Sequence, residues 1–158
     1  MTQEIFVPEN GGIPNHPRWP ALVLPRAAEA GIDVEAAKDL IGRNGWTGLW
    51  DWTVYDYHHF HPDAHEALLC VAGRATIRLG GPEGEAVEVT PGAGLILPAG
   101  TGHRREESSD DFRVVGAYPP GQSASILHAG EAFDADALTA LPAPAIHPFT
   151  GTRFDRWT

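Results

Sequence analysis

The spacing of apolar residues changes near residue 46 of this chain. Between Val34 and Ile41 the apolar positions recur at helical spacing. Asp33 is placed to cap the start, and the glycines at 42 and 45 mark the end. From Trp46 onward apolar and polar residues alternate with a period of two, which is typical of β-strands. The pattern therefore predicts one helix followed by a region of strands.

Glycine-rich turns divide the second region into short segments. We predict seven strands there, at 53–61, Glu66–Ala72, Arg74–Leu79, Ala86–Thr90, Leu95–Pro98, His103–Glu107 and Phe112–Tyr118. Short strands separated by turns about every eight to twelve residues are typical of a sandwich or a barrel. The predicted fold class is therefore all-β.

The two ends of the chain are less regular. Residues 1–20 are rich in Pro, Gly and Asn and predict an irregular arm, and Ala21–Leu24, between two prolines, predicts an edge strand. A short helix is predicted at Asp134–Leu141, before Pro142. We expect a single domain with an N-terminal arm, edge strand and helix in 1–45, a barrel in 46–125 and a C-terminal extension in 126–158.

The composition excludes several classes of protein. Apolar residues make up 42% of the 158 residues, which disfavours disorder. The net charge is -10, which disfavours nucleic-acid binding. No apolar run has the length of a membrane crossing, and no signal peptide is visible. The one cysteine, Cys70, excludes an intrachain disulfide and suits a reducing compartment, so we expect a cytoplasmic protein.

Three histidines and one carboxylate form a candidate metal site. His59 and His61 leave the same face of a predicted strand, Glu66 starts the next strand, and His103 follows a glycine-containing turn. Such ligands suit Fe, Mn, Ni, Zn, Co or Cu as divalent ions, and the sequence does not choose among them. Four ligands on an octahedral ion leave two positions for a small molecule, or for a small molecule and O2. A surface histidine cluster that binds nothing is the alternative, which the spacing of all four residues disfavours.

Two longer patterns resemble the two sequence motifs of the cupin superfamily: His59-x-His61-x4-Glu66-x6-Gly73 and Gly92-x5-Pro98-x-Gly100-x2-His103. The resemblance covers about residues 46–118. It implies a double-stranded β-helix, or jelly-roll, barrel that holds one divalent transition metal inside one end. The ligands that it implies are His59, His61, Glu66 and His103.

The second motif departs from the family pattern at two places. Glu107 stands where asparagine is usual, and Gly92-Ala93-Gly94 replaces the common Gly-Asp start. These positions belong to turns or to the surroundings of the ligands. They therefore weaken a subfamily assignment more than the metal site itself.

Four further residues are candidates for binding a small molecule. Tyr55 and Tyr57 share the predicted face of the strand histidines, so they line a pocket or fill the barrel core. His65, next to the carboxylate ligand, is expected behind the ligands or at the pocket rim. Arg105 shares the predicted inward face of His103, where it would pair with an acidic ligand or form a salt bridge with a neighbouring glutamate.

The outward side of the same strand suggests an interface between subunits. Trp50 and Trp52 are predicted on the face opposite the ligands, as core or as a dimer contact. Together with the arm and the edge strand they predict a homodimer.

The sequence therefore predicts a metal-binding cupin that binds or acts on a small polar or acidic molecule. The chemistry expected of an enzyme with this site is that of a metal-dependent dioxygenase or an isomerase. A non-catalytic binding or sensing module on the same barrel is the alternative, because a fold does not establish catalysis. A metal-free sugar-nucleotide isomerase is disfavoured, since it has no need of the complete ligand set.

Overall fold

Two antiparallel β-sheets face each other across the centre of the structure. The computed structural model describes all of residues 1–158. The strands are β1 (Gln3–Ile5), β2 (Ala21–Leu24), β3 (Thr47–Trp52), β4 (His59–Phe60), β5 (Glu66–Ala72), β6 (Ala75–Leu79), β7 (Glu85–Val89), β8 (Gly94–Leu97), β9 (His103–Ser108), β10 (Arg113–Tyr118) and β11 (Leu127–His128). One sheet has the order β1-β2-β8-β5-β10-β3 and the other has the order β11-β4-β9-β6-β7.

The strand pairing is that of a jelly roll. Between β3 and β10 the chain pairs first with last: β3 with β10, β4 with β9, β5 with β8 and β6 with β7. This nested order arises when one long hairpin is wound into a barrel, so that its paired strands fall in alternate sheets. The predicted double-stranded β-helix is therefore confirmed.

The motif glycines occupy turns that need them. Gly73, between β5 and β6, has φ +68°, and a side chain there would meet the backbone nitrogen of Phe112 at 2.6 Å. Gly92, before β8, has φ +91° and lies against the carbonyl of Ala28. Both positions favour glycine because left-handed backbone is costly for other residues.

Apolar side chains form two clusters, one on each face of the six-stranded sheet. Within β5, Leu68 and Cys70 point between the sheets, whereas Ala67 and Leu69 point to the outer face. The outer cluster is covered by the helix α1 (Val34–Arg43) and by aromatic residues of the C-terminal tail. This second cluster explains why both faces of several strands are apolar.

Both predicted helices are present. Asp33 caps α1 by accepting the backbone N–H of Ala36 at 2.8 Å. The second helix, α2 (Ala135–Ala140), is capped in the same way by Asp134. Neither helix meets the length and apolarity needed to cross a bilayer.

The strand prediction was wrong at three places. Residues 21–24 are not an edge strand, because β1, predicted as part of an irregular arm, pairs with them on the outside. Of the strand predicted at 53–61 only His59–Phe60 forms, because residues 53–58 are irregular and the preceding strand β3 ends at Trp52. The short strand β11, which pairs with β4, was not predicted.

Candidate metal centre

The jelly-roll pairing brings the candidate ligands to one end of the barrel. His59 on β4 lies directly opposite His103 on β9 within the five-stranded sheet. Glu66 begins β5 in the facing sheet, and His61 follows β4 in the turn between the sheets. The group therefore joins the two layers of the barrel.

The four side chains meet in the interior. The ligand nitrogens of His59, His61 and His103 lie within 4.8 Å of one another. Oε1 of Glu66 is 3.4 Å from Nε2 of His61 and 3.1 Å from Nε2 of His103. Each of the four residues is at most 6% exposed. Glu66 thus adjoins two of the three histidines, and a single ion between these atoms would be shielded from solvent.

Backbone carbonyls orient all three imidazole rings. Each Nδ1 lies within hydrogen-bond distance of a main-chain oxygen: His59 with Tyr57 at 3.0 Å, His61 with Ser125 at 2.8 Å and His103 with Thr101 at 3.1 Å. A carbonyl can only accept, so each Nδ1 must carry the proton. The lone pair of each neutral ring is then on Nε2, which is the arrangement of histidines that ligate a metal.

The surroundings of the carboxylate suit a cation. Oε1 of Glu66 is buried and receives no hydrogen bond. Its nearest neighbours are Nε2 atoms that have no proton to donate when the rings are neutral. An orphaned buried oxygen is costly, and a divalent ion bound by three nitrogens and one oxygen would satisfy it.

Burial and charge shift the pKa values of these groups. Burial, reinforced by the neighbouring His103, lowers the pKa of His59 to about 2. Burial also opposes the charged form of His61, but the adjacent Glu66 carboxylate outweighs burial and raises its pKa. For Glu66, burial alone would raise the pKa, but the neighbouring His61 and His103 outweigh burial and lower it. Because a metal binds the neutral imidazole, protons compete with it at His61, and metal affinity should fall in acid.

A cavity of about 240 Å³ opens next to the four side chains. Besides them, its wall consists of Trp50, Trp52, Thr53, Val54, Tyr55, Leu68, Tyr118 and Ile126. Placing the two tryptophans on the opposite face was therefore wrong. Regular strand geometry ends at Trp52, and the alternation that would have turned these side chains away does not continue to His59.

Only one of the predicted tyrosines lines the cavity. Tyr55 lies in the wall and packs edge-on against His59, with ring centroids 5.2 Å apart. Tyr57 instead stacks on His128 of β11 at 4.4 Å, outside the wall. Tyr118 was missed, although it continues the inward alternation of Val114 and Gly116 along β10. Its hydroxyl accepts the indole N–H of Trp50 at 2.9 Å.

His65 is part of the outer core and not of the pocket, so its predicted place near the rim was wrong. Its Nδ1 accepts the backbone N–H of Ala99 and its Nε2 donates to the carbonyl of Pro142, each at 2.9 Å. The fully buried ring packs against Trp19 and Trp157. Strand alternation turns it away from Glu66, and the C-terminal tail covers it.

Arg105 does not line the cavity and forms no salt bridge with a glutamate, so the structure supports neither predicted role. Its Nε donates to the carbonyl of Val54 at 2.9 Å and its guanidinium also reaches the hydroxyl of Ser108. The irregular segment 53–58 offers carbonyls that lack strand partners, and Arg105 binds them. Glu106 and Glu107 form ion pairs with other arginines on the surface.

Comparison with curated proteins gives one clear relative. The chain is 41% identical over 120 residues to the uncharacterized protein YjlB of Bacillus subtilis (strain 168), covering 76% of this chain and 71% of that protein. No model of a known protein family matches.

Solved structures overlap with this chain only in part. The QdtA 3,4-ketoisomerase of Thermoanaerobacterium thermosaccharolyticum has a TM-score of 0.40 at 21% identity, over 46% of this chain and 58% of that chain. The acireductone dioxygenase of Bacillus anthracis, with cadmium in its active centre, has a TM-score of 0.36 at 21% identity, over 53% of this chain and 56% of that chain. The dTDP-4-dehydrorhamnose 3,5-epimerase of Elizabethkingia anophelis has a TM-score of 0.42 at 11% identity, over 74% of this chain and 73% of that chain. The chain thus spans less than two thirds of the first two, and their activities do not follow for it.

The nested strand order and the two spaced motifs give this protein the fold and the motif pattern of a small cupin. Its identity to YjlB extends over more than two thirds of both chains. The chain therefore belongs to the family of Bacillus subtilis YjlB, and its fold is the cupin-type jelly roll.

Proposed function

We propose that this protein holds one divalent transition metal through His59, His61, Glu66 and His103, and that it acts on a small molecule in the adjoining cavity. The observation that carries the proposal is the set of three Nε2 atoms, fixed by main-chain carbonyls, around a buried carboxylate whose Oε1 lacks a donor. Bound there, the ion would supply Lewis-acid or redox chemistry to a ligand at its open positions.

The other cavity residues favour oxidation over isomerisation. Isomerisation by proton abstraction needs a base that is free to take a proton. Glu66 is the only carboxylate that lines the cavity, and as a metal ligand it would not be free. Burial and the nearby carboxylate raise the pKa of Tyr118, so its phenol donates a proton or a hydrogen bond at neutral pH. A metal-dependent, dioxygenase-like oxidation makes the smallest demand on protein bases, and it is the reaction class that we propose.

The same lack of a base favours a second candidate function. A sensing or carrier module needs only the ion, the cavity and a ligand, and it needs no proton-transfer group. Oxygen uptake by Fe(II)-loaded protein with small oxygen-donor compounds separates the two functions. Uptake that requires both iron and a compound supports the enzyme, whereas melting shifts without uptake support the binding module.

The cavity is poorly suited to a sugar nucleotide. Recognition of a diphosphate relies on Arg or Lys side chains, and neither residue type lines this cavity.

Metal content of variants tests the ligand assignment. Protein purified without added metals, or loaded with Zn²⁺ and desalted, should carry about one ion per chain by elemental analysis. His61→Ala and His103→Ala should lose it while keeping the wild-type circular dichroism. His128→Ala, an exposed histidine on the neighbouring strand, is the matched control and should keep it. Equal metal content in wild type and His61→Ala would disprove the assignment.

A further inference from the structure

The wall of the cavity contrasts with its floor. The floor holds the histidines and Glu66, whereas seven of the remaining eight lining residues are aromatic or aliphatic and the eighth is Thr53. The wall offers two phenols and no amide or basic side chain. A ligand that reaches the floor therefore places most of its body against apolar surface.

Two apolar side chains at this cavity are exposed. Trp52 is 50% exposed and Ile126 is 44% exposed, and both belong to the wall. Trp52 packs edge-on against Tyr55, with ring centroids 5.2 Å apart, which continues the aromatic surface into the cavity. Exposed apolar surface that joins a concave site is typical of a ligand-binding rim.

The charge of the cavity limits the charge of its ligand. Arg105 is held by Val54 and Ser108, so no basic side chain reaches the cavity. A divalent ion together with the carboxylate of Glu66 leaves a single positive charge on the floor. One ionised oxygen of a ligand would balance that charge, and a second carboxylate would be desolvated against apolar walls without a partner.

The size of the cavity limits the ligand to about one ring. Its volume of about 240 Å³ exceeds the roughly 150 Å³ of an apolar cavity that holds benzene. The same volume is below the range of roughly 300–1,000 Å³ that is typical for drug-sized ligands.

We propose, on the basis of the metal site proposed above, that the ligand is a small molecule which joins one oxygen chelating group, with no more than one negative charge, to an aromatic or similarly apolar body. Trp52 and Ile126 select that body at the rim. This narrows the polar or acidic ligand predicted from the sequence to a class with a polar head and an apolar remainder.

Three hydroxamic acids test the proposal, because they share the chelating group and differ only in the body. Benzohydroxamic acid carries a phenyl ring, acetohydroxamic acid carries a methyl group, and 4-carboxybenzohydroxamic acid adds a charge to the ring. In calorimetry with Zn²⁺-loaded protein, the dissociation constant of the phenyl compound should be at least about tenfold lower than that of the methyl compound. The carboxylated compound should bind several-fold more weakly than its parent.

Variants locate the selection at the rim. Trp52→Ala should weaken binding of the phenyl compound by about fivefold and leave the methyl compound unchanged. Ile126→Ala should act in the same direction with a smaller effect. Phe6→Ala removes a side chain of similar exposure, 53%, outside this cavity and should change neither affinity.

The outcomes separate this proposal from the metal site. If zinc binds but the phenyl and methyl compounds bind within twofold of each other, the ligand class is wrong and the metal site stands. If zinc does not bind, the metal site fails, and ligand-observed NMR on the metal-free protein still decides whether the phenyl compound is preferred. If Trp52→Ala changes the association state of the protein and no probe affinity, the rim is a subunit contact and the proposal is overturned.

Discussion

Asp63 positions one of the candidate ligands through a neighbouring segment. Its carboxylate accepts the backbone N–H of Ser125 at 2.8 Å and the hydroxyl of the same residue at 2.6 Å. The carbonyl of Ser125 in turn accepts Nδ1–H of His61 at 2.8 Å. The orientation of His61 therefore depends on a residue that does not touch the cavity.

We predict that Asp63→Ala weakens metal binding by about 10- to 100-fold, the range found when groups that orient a ligating histidine are removed. The variant loses two hydrogen bonds, each worth roughly 1 kcal/mol at this partly exposed position. Segment 119–126 is then held to the turn that follows β4 by fewer hydrogen bonds, among them the one from the backbone N–H of His65 to Gln122. A factor of 10 to 100 corresponds to about 1.4–2.8 kcal/mol, which is in line with the two lost bonds.

Competition titration of Zn²⁺ against a chromophoric chelator measures this effect. Asp63→Asn is the matched control, because an amide keeps an acceptor for the N–H and a donor for the hydroxyl while it removes the charge. That variant should recover most of the affinity. The proposed role is refuted if Asp63→Ala is folded and binds zinc as wild type does. If Asp63→Asn is as weak as Asp63→Ala, charge and not positioning is responsible.

Two more predictions concern groups behind the site and beside it. Burial lowers the pKa of His65 to about 4, and burial with the nearby His65 lowers that of His16 to about 4 from 6.5. The folded state then binds fewer protons than the unfolded state. The free energy of unfolding, measured with urea, should therefore be full above pH 6.5 and fall towards pH 4 by at most about 3 kcal/mol for each residue. His65→Gln should flatten this pH dependence, and an unchanged pH dependence would exclude a contribution from His65. Tyr118→Phe leaves the indole N–H of Trp50 without its acceptor and should cost about 1 kcal/mol in the free energy of unfolding at unchanged zinc content, whereas Tyr57→Phe, outside the wall, should cost less.

The resemblance of the two motifs to those of cupins implied the jelly-roll barrel and its four ligands, whereas the strand pattern alone predicted only a sandwich or a barrel. Helix α1 was equally predictable, because its cap and its apolar spacing are local signals.

The wall of the cavity was not predictable from local pattern. The break between β3 and β4 depends on Arg105, which binds carbonyls of residues 54 and 55 from a strand about fifty positions later. His65 likewise takes its place from Trp19 and Trp157, at opposite ends of the chain. A period-two alternation carries no information on either contact, and Trp50 and Trp52 were assigned to the wrong face as a result.

The candidate ligands come from both sheets, with His59 and His103 on one and Glu66 on the other. An ion held by all of them would act as a crosslink between the layers, comparable to a disulfide but reversible. Local opening of this end of the barrel would then require the ion to leave first. Amide hydrogen exchange in β5 and β9 should therefore slow together on loading, and proteolytic resistance of the whole barrel should follow the concentration of free metal.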